Sequence, residues 1–316
     1  MNKIVITGAT GFVGANLVHR LVQDGYEVHA LLRKESHPWR IEDLNSKIQR
    51  WVVNLEDENS IDQALKEIQP DTCFHLAANG AYSWQNNSAE IIRTNFLDTV
   101  NLADSCIRNH VKVLINTGSS SEYGLKDHAP KETEFVRPNS MYAVTKSAAT
   151  NYCLYCADHS DLCVSTLRLY SVYGPYEDAG RLIPNLILHG MKKEFPPMTD
   201  PLTARDFVYV RDIEDAYILA AEKPEISKGN IYNAGTGTQT SLKAAAEQAK
   251  QFFGIESEPV WGSMVSRKWD TNIWVADSTK IRAELGWTPR YSFSDGFQKT
   301  AEWFTNQADY FDCYHL

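Results

Sequence analysis

Residues 3–25 of the chain read KIVITGATGFVGANLVHRLVQDG, and this stretch decides the fold. Its first four residues form a short apolar run typical of a buried strand, and glycines follow at positions 8, 11 and 14. Between residues 12 and 22 the apolar side chains recur at helical spacing, and Gly25 marks a helix stop. The stretch therefore predicts a strand, a glycine-rich turn and a helix.

The glycine-rich turn suits a particular ligand. Glycines permit a tight turn, let backbone N–H groups approach a pyrophosphate, and allow the helix to pack closely on the strand. The spacing is G-x-x-G-x-x-G rather than the G-x-G-x-x-G of ordinary dehydrogenases. We interpret the turn as a dinucleotide site, and a glycine-rich turn without a ligand is the alternative.

Strand and helix patterns alternate through the first 175 residues. This order predicts a parallel sheet with helices on both faces, which is the doubly wound α/β class of Rossmann type. The predicted strands are 3–7, 27–32, 49–53, 72–76, 112–117 and 163–170, and the predicted helices lie near 12–23, 59–67, 88–109 and 141–159.

The composition changes after Gly174-Pro175. Residues 176–206 are rich in proline, glycine and charge, whereas 207–234 show a buried strand, a helix and a further strand. We predict a dinucleotide-binding domain over 1–175, to which 207–234 return, and a smaller mixed C-terminal substrate lobe from 176–206 and 235–316. A ligand is then expected in the cleft beyond the carboxyl ends of the strands.

The bulk composition limits the partners. The chain has 316 residues, of which 43% are hydrophobic and 22% charged, and a net charge of −9 without a basic run. This balance argues against nucleic acid or an anionic membrane as a partner. No apolar stretch approaches the ~20 residues that span a bilayer. Residues 1–20 contain the glycine loop, so we interpret them as a strand and not as a signal peptide.

Six cysteines are scattered through predicted core elements, at positions 73, 106, 153, 156, 163 and 313. Cys153-x-x-Cys156 could indicate metal or redox chemistry, but neither a second such pair nor a histidine pair at ligand spacing accompanies it. Buried thiols are the simpler interpretation. We therefore expect a cytoplasmic protein with reduced cysteines and without a metal site.

Tyr142 and Lys146 lie four residues apart on the helix predicted near 141–159, so their side chains share one face. An ammonium group beside a phenol favours the phenolate and lowers the pKa of the tyrosine, which makes it a usable acid or base near neutral pH. The lysine can also hydrogen-bond a bound ribose. This spacing of a tyrosine and a lysine is common by itself. Downstream of a dinucleotide loop, it favours a catalytic role for the pair.

Together these motifs resemble those of the extended short-chain dehydrogenase/reductase family, which contains nucleotide-sugar epimerases, dehydratases and 4-keto reductases. The resemblance covers essentially the whole chain. Its motifs are the glycine loop at 7–14, CFHLAA at 73–78, Thr94-Asn95, GSSSEYG at 118–124, Tyr142 with Lys146, Arg168 followed by YGP at 173–175, RDFVYV at 205–210, NAGTG at 233–237, and Ala276-Asp277 followed by LGW at 285–287.

The resemblance implies roles for individual residues. Tyr142 is the acid or base for a sugar hydroxyl or ketone, Lys146 tunes it and holds the nicotinamide ribose, and Ser119 hydrogen-bonds the same sugar oxygen. Further dinucleotide contacts are implied for Gly8, Thr10, Gly11, Phe12, Val13, Gly14, Arg33, Asn54, Leu55, Leu76, Ala77, Ala78 and Asn95. Nucleotide-sugar contacts are implied for Tyr82, Trp84, Ser120, Ser121, Ser171 and Arg205.

Two of the implied substrate contacts have a specific chemical basis. Arg205 looks like the residue that meets the nucleotide pyrophosphate, because a guanidinium fork suits phosphate oxygens. Ser171 stands where the family has a longer asparagine that contacts phosphate.

The type of cofactor is indicated at the end of the second strand. NAD-selective proteins place an acidic residue about 20 residues after the glycine loop, where it binds the ribose 2′-hydroxyl. Here Arg33 and Lys34 follow the strand. Two cations suit a 2′-phosphate, so we expect NADP(H), and the neighbouring Glu35 keeps NAD(H) as the alternative. Asn54 is expected near the adenine.

The type of reaction is indicated by the GSSSEYG motif. Family dehydratases carry a glutamate two residues before the tyrosine, which is the acid that expels water. That position is Ser121 here, and Glu122 comes one residue later. On a β-like segment a shift of one residue turns a side chain to the opposite face, so Glu122 is not expected to replace that acid.

The motif therefore looks like that of a 4-keto-6-deoxyhexose reductase, and an epimerase and then a 4,6-dehydratase are the alternatives. A dinucleotide-binding module without turnover is disfavoured by the intact Ser119, Tyr142 and Lys146. The resemblance also implies a homodimer, in which the helices near 88–109 and 141–159 pair with those of a second copy as a four-helix bundle. Cys106, Ala148, Ala149 and Leu154 are predicted to supply its small and apolar surface.

Overall fold

A computed structural model describes residues 1–82, 84–265 and 271–307 of the chain. Residues 266–270 and 308–316 of the predicted C-terminal lobe, and Cys313 with them, lie outside the described residues. The strands are β1 (Lys3–Thr7), β2 (Glu27–Leu32), β3 (Gln49–Val52), β4 (Thr72–His75), β5 (Val113–Ser119), β6 (Cys163–Leu169), β7 (Ser171–Tyr173), β8 (Ala204–Arg205), β9 (Phe207–Tyr209), β10 (Ile231–Ala234) and β11 (Thr240–Ser241).

The helices alternate with these strands. They are α1 (Phe12–Gln23), α2 (Glu58–Ile68), α3 (Ser88–Ile92), α4 (Asp98–Arg108), α5 (Met141–His159), α6 (Leu182–Met191), α7 (Val210–Glu222), α8 (Pro224–Ser227), α9 (Leu242–Phe253), α10 (Thr279–Leu285) and α11 (Phe293–Asn306). Short 3-10 helices lie at Trp39–Leu44 and Ser120–Tyr123. Within the described part of the chain, no helix is long and apolar enough to cross a membrane.

Seven strands form one parallel sheet in the order β10-β6-β5-β4-β1-β2-β3. The chain winds outward from β1 to β3 on one side, and then from β4 through β6 to β10 on the other. This reversal confirms the predicted doubly wound Rossmann-type fold. Ligands of such sheets bind at the switch point between the two halves, which here lies between β1 and β4 and next to the glycine loop.

The two faces of the sheet have separate cores because alternate strand residues point to opposite sides. Ile4 and Ile6 of β1 pack in a cluster with apolar residues of α1 and α7, such as Leu17 and Tyr217. Val5, between them, belongs to a second cluster with α2, α4 and α5. Cys73, Cys106, Cys153 and Cys156 are free thiols buried in that second cluster.

The helix predicted over 88–109 is divided. Residues Arg93–Leu97 form a π-helical turn between α3 and α4. A π turn contains one extra residue relative to an α-helical turn, and such turns often occur at functional sites. This turn contains Asn95, one of the predicted dinucleotide contacts.

The second half of the chain differs from expectation at one strand. Phe207–Tyr209 pairs in parallel with Ser171–Tyr173 in a separate two-stranded sheet, whereas only Ile231–Ala234 of the segment 207–234 joins the seven-stranded sheet. Helices α6, α9 and α11 pack together on the small sheet and form a third apolar cluster. β8 pairs with β11 in an antiparallel sheet of two strands.

Candidate active site

The glycine loop has a shape that fits a pyrophosphate. Gly8 has φ +68°, and a Cβ there would lie 2.5 Å from the carbonyl carbon of Leu76. A Cβ at Gly14 would lie 2.1 Å from the carbonyl oxygen of Gly8, so α1 packs directly on the loop. Gly11 is the N-cap of α1, and the N–H groups of a helix N-terminus bind phosphate well. The predicted contacts Thr10, Phe12 and Val13 lie half-buried in the same turn.

A chain of buried hydrogen bonds fixes the end of β4 beside this loop. The Oγ1 of Thr7 lies 2.7 Å from Nδ1 of His75, and Nε2 of the same ring lies 2.8 Å from Oγ1 of Thr99. Burial lowers the pKa of His75 to about 3, so the ring is neutral. The N–H of Ala77 donates to Thr7 Oγ1 at 3.3 Å. Leu76, Ala77 and Ala78 therefore lie at the glycine loop, as a dinucleotide site requires.

The side chain of Asn95 fixes the loop that follows β4. Its Oδ1 accepts from the N–H of Asn79 at 2.8 Å, and its Nδ2 donates to the Asn79 carbonyl at 2.7 Å and to Thr145 Oγ1 at 3.0 Å. The side chain is fully buried. Its amide therefore joins the loop after β4 to α5.

Arg33, Asn54 and Leu55 follow the carboxyl ends of β2 and β3, where this sheet order places the adenosine half of a dinucleotide. The first two are exposed, whereas Leu55 is buried and its carbonyl accepts a hydrogen bond from Asn101 Nδ2 at 2.9 Å. The side chain of Asn54 accepts from the N–H of Glu56 at 3.1 Å. The three residues thus form one rim, remote in sequence from Tyr142.

Ser119 and Tyr142 lie together at the carboxyl end of β5, and Lys146 lies one turn after Tyr142 on α5. Ser119 is the last residue of that strand. The cap of α5 is Ser140, whose Oγ accepts from the N–H of Ala143 at 3.1 Å. The helix therefore presents Tyr142 in its first turn and Lys146, only 1% exposed, one turn later. The Ser119 side chain is a hydrogen-bond partner of the Tyr142 phenol.

The expectation that Lys146 lowers the pKa of Tyr142 is wrong for this structure. Burial raises the pKa of Tyr142, and the hydrogen bond with Ser119 only partly offsets the rise. Burial also lowers the pKa of Lys146 to about 8, although the charge of Glu122 acts in the opposite direction. Desolvation dominates because both groups are enclosed. The phenol is consequently protonated at neutral pH.

Ser121 lies in the site and Glu122 does not. Oγ of Ser121 is 2.7 Å from Oγ of Ser119. Glu122 is fully buried on the other side of the turn. Its Oε1 accepts from the N–H of Ser119 at 2.8 Å and from Thr150 Oγ1 at 3.1 Å, and its Oε2 accepts from Arg168 Nε at 2.9 Å.

The reason for this orientation differs from the predicted one. The segment is a 3-10 turn and not a β-like segment, and Ser119 and Glu122 form a capping box at its start. The motif Ser-x-x-Glu is a recognisable sequence signature of such a cap. This signature could have identified Glu122 as a structural residue. No sequence pattern indicated that Arg168 is its partner.

The predicted sugar contacts Tyr82 and Trp84 stack on each other with ring centroids 4.5 Å apart. Trp84 is 60% exposed. The guanidinium of Arg181 lies 5.3 Å from the ring centroid of Tyr82, and its charge acts on Tyr142 also. Sequence reasoning missed Arg181, because the contact joins residues about 100 positions apart. The two stacked rings and Arg181 therefore form one cluster, whose positive charge acts on the phenol.

Glu177 is a second residue that sequence reasoning missed. Its Oε1 lies 3.8 Å from Arg181 Nε, and its Oε2 is buried with no partner among the described residues. Burial raises the pKa of Glu177 to about 8. Tyr176 before it has φ +66°, a left-handed conformation that turns the chain inward. The carboxyl is therefore largely protonated at neutral pH.

The other predicted substrate contacts lie on the side of the C-terminal lobe. Arg205 lies 5.5 Å from the ring centroid of Trp274 and donates to the carbonyl of Ala204 at 2.8 Å. Trp274 also lines a crevice with Ser120, which is buried. Ser171 begins β7, and its N–H donates to the carbonyl of Asp206 at 3.0 Å.

The comparison with protein families gives the class. The model of the NAD-dependent epimerase/dehydratase family matches residues 4–235. The chain belongs to this family, and its resemblance to the extended short-chain dehydrogenase/reductase enzymes of nucleotide sugars is confirmed. It is thus an enzyme of the NAD-dependent nucleotide-sugar epimerase/dehydratase class.

Two curated relatives show the range of that class. A UDP-glucose 4-epimerase of Mycolicibacterium smegmatis is 30% identical over 97% of this chain and 99% of its own length. A trifunctional UDP-glucose 4,6-dehydratase/UDP-4-keto-6-deoxy-D-glucose 3,5-epimerase/UDP-4-keto-L-rhamnose-reductase of Arabidopsis thaliana is 26% identical over 98% of this chain. The chain spans 48% of the length of that second protein.

Two solved structures are similar over nearly the whole fold. UDP-glucose 4-epimerase with UDP-glucose from Thermotoga maritima has a TM-score of 0.88 at 28% identity, over 98% of this chain and 100% of that one. MoeE5 in complex with UDP-glucose and NAD has a TM-score of 0.86 at 29% identity, over 97% of this chain and 100% of that one.

Proposed function

We propose that the protein reduces the keto group of a nucleotide-linked 4-keto-6-deoxyhexose and uses NADPH. The observation that carries the proposal is the hydroxyl of Ser121, 2.7 Å from Ser119 Oγ, at the position where a dehydratase would need a carboxylic acid. Reduction of a ketone requires a proton donor at the oxygen, whereas oxidation of a sugar hydroxyl requires a base. The Tyr142 phenol, which is protonated at neutral pH, can supply that proton.

The residues act on the oxygen of the ketone. A bound nicotinamide cofactor supplies the hydride to the carbon. The Ser119 hydroxyl hydrogen-bonds the ketone oxygen and aligns it, and Tyr142 gives its phenolic proton to the same oxygen as negative charge develops there. Lys146, one turn after Tyr142 on α5, holds the ribose of the cofactor.

The turn after β5 argues against dehydration. A dehydratase needs an additional acid to expel water, and Ser121 occupies its position here with a hydroxyl 2.7 Å from Ser119 Oγ. The neighbouring carboxylate of Glu122 is engaged with Arg168 on the buried side. A serine hydroxyl is a far weaker acid than a carboxylic acid, so this site is suited to hydride and proton transfer alone.

NADPH is proposed because of the charge at the adenosine rim. Arg33 is exposed at the end of β2, where the ribose 2′-position of a dinucleotide lies. A guanidinium forms bidentate hydrogen bonds with a phosphate. On the substrate side, we propose that Tyr82 and Trp84 contact the sugar, while Ser120, Ser121, Ser171 and Arg205 contact the sugar and its diphosphate.

A 4-epimerase is the second candidate, and two similarities favour it. The relative from Mycolicibacterium smegmatis and the structure from Thermotoga maritima are both UDP-glucose 4-epimerases and match nearly the full chain. The same Ser119, Tyr142 and Lys146 would then act first as a base and later as an acid. An epimerase would retain NAD through the whole cycle and would consume none.

One experiment separates the two candidates. Purified protein is given NADPH and a nucleoside diphosphate 4-keto-6-deoxyhexose, and nicotinamide absorbance is followed. We expect one equivalent of NADPH to be oxidised for each sugar reduced. Interconversion of UDP-glucose and UDP-galactose with no net change in nicotinamide absorbance, together with NAD retained through purification, would establish the epimerase instead.

We further propose the domain boundaries given by the sequence. Residues 1–175 and 207–234 hold the dinucleotide, and residues 176–206 with 235–316 form the substrate lobe.

We also propose a homodimer that forms through α3, α4 and α5. An apolar surface on these helices supports the dimer. Cys106 and Ala149 do not belong to that surface, because both are buried in the core of the chain itself. The exposed apolar side chains are instead Ile92, Leu97, Met141 and Val144.

A further inference from the structure

Asp98, the first residue of α4, has a buried carboxylate that the proposed reaction does not use. The residue is 7% exposed, and its Oδ1 has no hydrogen-bond partner among the described residues. Burying a carboxylate without a partner is costly, and buried polar atoms are hydrogen-bonded in the great majority of cases. An unpartnered carboxylate oxygen of this kind indicates that a hydrogen-bond donor binds it in the functional protein.

The neighbours of Asp98 place it at the adenosine rim. Asn101, one turn later on the same helix face, donates to the carbonyl of Leu55 at 2.9 Å. Glu56, which follows Leu55 in the chain, forms an ion pair of 2.6 Å with Arg93, and Arg93 lies one turn before Asp98. Helix α4 therefore lies against the loop that follows β3.

The charges that act on Asp98 include that of Arg33, which belongs to the same rim. Burial raises the pKa of Asp98 to about 6, the carboxylate of Glu56 raises it further, and the positive charges of Arg93 and Arg33 lower it. Arg33 directly follows β2, and Asp98 begins α4, the helix that packs against the loop after β3. The rim there carries Asn54 and Leu55, next to which the Rossmann arrangement places the adenine of a dinucleotide.

We propose that Asp98 recognises the adenine base, with its carboxylate accepting a hydrogen bond from the exocyclic amine at C6. An ionised carboxylate only accepts hydrogen bonds, so it matches the amine of adenine and opposes the carbonyl oxygen of hypoxanthine. The inference rests on the dinucleotide binding of the proposed function. It assigns Asp98 as a specificity residue and leaves the reaction at the nicotinamide unchanged.

The test compares two cofactors that differ at this atom. Binding of NADPH and of its hypoxanthine analogue, whose C6 amine is replaced by a carbonyl oxygen, is measured by nicotinamide fluorescence in wild-type protein, Asp98→Asn, Asp98→Ala and Glu56→Gln. The wild type should prefer the adenine cofactor by about 10- to 100-fold, the range for a hydrogen bond to a charged group. Asp98→Asn, whose amide can donate to the carbonyl, should abolish or reverse that preference.

Two further variants keep the test decisive. Asp98→Ala removes the hydrogen-bond acceptor, and alanine has a high helix propensity. This variant should therefore bring the ratio of the two cofactor affinities close to 1 even if Asp98→Asn folds poorly. Glu56→Gln removes one negative charge from the same rim, as Asp98→Asn does. It should keep the wild-type ratio of the two cofactor affinities, because a change in the electric field alone does not distinguish adenine from hypoxanthine.

The outcomes separate this inference from the proposed function. An equal adenine preference in the wild type and in folded Asp98→Ala would overturn the role of Asp98 while cofactor binding stands. A similar loss in Glu56→Gln would overturn it too, since the effect would then be one of net charge. Failure of the wild type to bind either dinucleotide would refute the cofactor assignment itself.

Discussion

The hydroxyl groups of Ser119 and Ser121 lie 2.7 Å apart at the start of the turn after β5. The contact puts a neutral hydroxyl at the position where, as the family resemblance implies, dehydratases carry a glutamate. It therefore supports the proposed reaction, which needs hydride and proton transfer and no acid to expel water.

The first prediction concerns the proton donor. Tyr142→Phe should lower turnover by about 10²- to 10⁴-fold, the usual contribution of a positioned acid or base, and leave dinucleotide affinity close to that of the wild type. Turnover and cofactor binding are measured on the same preparation. Tyr155→Phe, which removes the hydroxyl of an exposed tyrosine on the same helix, is the control and should keep full activity. Retention of more than a tenth of wild-type turnover in Tyr142→Phe would contradict the assignment.

The second prediction concerns the buried pair Glu122–Arg168. Glu122→Gln should lower the free energy of unfolding by about 3–5 kcal/mol, because a buried guanidinium loses its counter-charge. Glu58→Gln, which breaks an exposed pair with Arg108 of similar length, should change it by less than about 1 kcal/mol. Urea titration of both variants measures the difference. Equal stabilities would show that Glu122 does not support the turn.

The third prediction concerns the choice of cofactor. If Arg33 binds a 2′-phosphate, NADPH should bind about 10- to 100-fold more tightly than NADH. Arg33→Asp should weaken NADPH binding through lost attraction and added repulsion, and should spare NADH. Affinities for both cofactors are measured by fluorescence. Equal affinities in the wild type would favour NAD and, with it, the epimerase.

The fourth prediction concerns pH and Glu177. Its pKa is raised by burial from about 4.5 to about 8, so the native state binds more protons than the unfolded state between those values. The free energy of unfolding should therefore fall as pH rises through this window, by on the order of 5 kcal/mol from this residue. Glu177→Gln should match the wild type near pH 4 and exceed it near pH 8. The exposed Glu256→Gln is the control, and parallel pH profiles for all three proteins would refute the shift.

The fifth prediction concerns the dimer. The protein should have the mass of a dimer at micromolar concentration by light scattering. Introducing Leu97→Asp and Val144→Asp together should give a folded monomer, because two carboxylates would be desolvated in the apolar contact. Val52→Asp, on the edge strand β3 and 73% exposed, is the control and should stay dimeric. A monomeric wild type would rule out the proposed bundle.

Most of the main sheet could be predicted from local pattern. The strand at Lys3–Thr7 and the helix at Met141–His159 have the bounds that their apolar spacing indicated. The division of the helix near Asn95 and the partner of Phe207–Tyr209 could not be predicted in this way. Both depend on contacts with residues distant in the chain, such as Asn79 and Ser171–Tyr173.

The sequence by itself determined the class of fold, the glycine loop and the presence of Ser119, Tyr142 and Lys146. Each follows from periodicity or short spacing, which a strand, turn or helix expresses locally. The tertiary structure decided the electrostatics. The pKa of Tyr142 is raised because burial outweighs the influence of its neighbours, and the orphaned oxygen of Asp98 exists because packing of α4 encloses it. Desolvation depends on everything that surrounds a group, so it is set only when the distant parts of the chain come together.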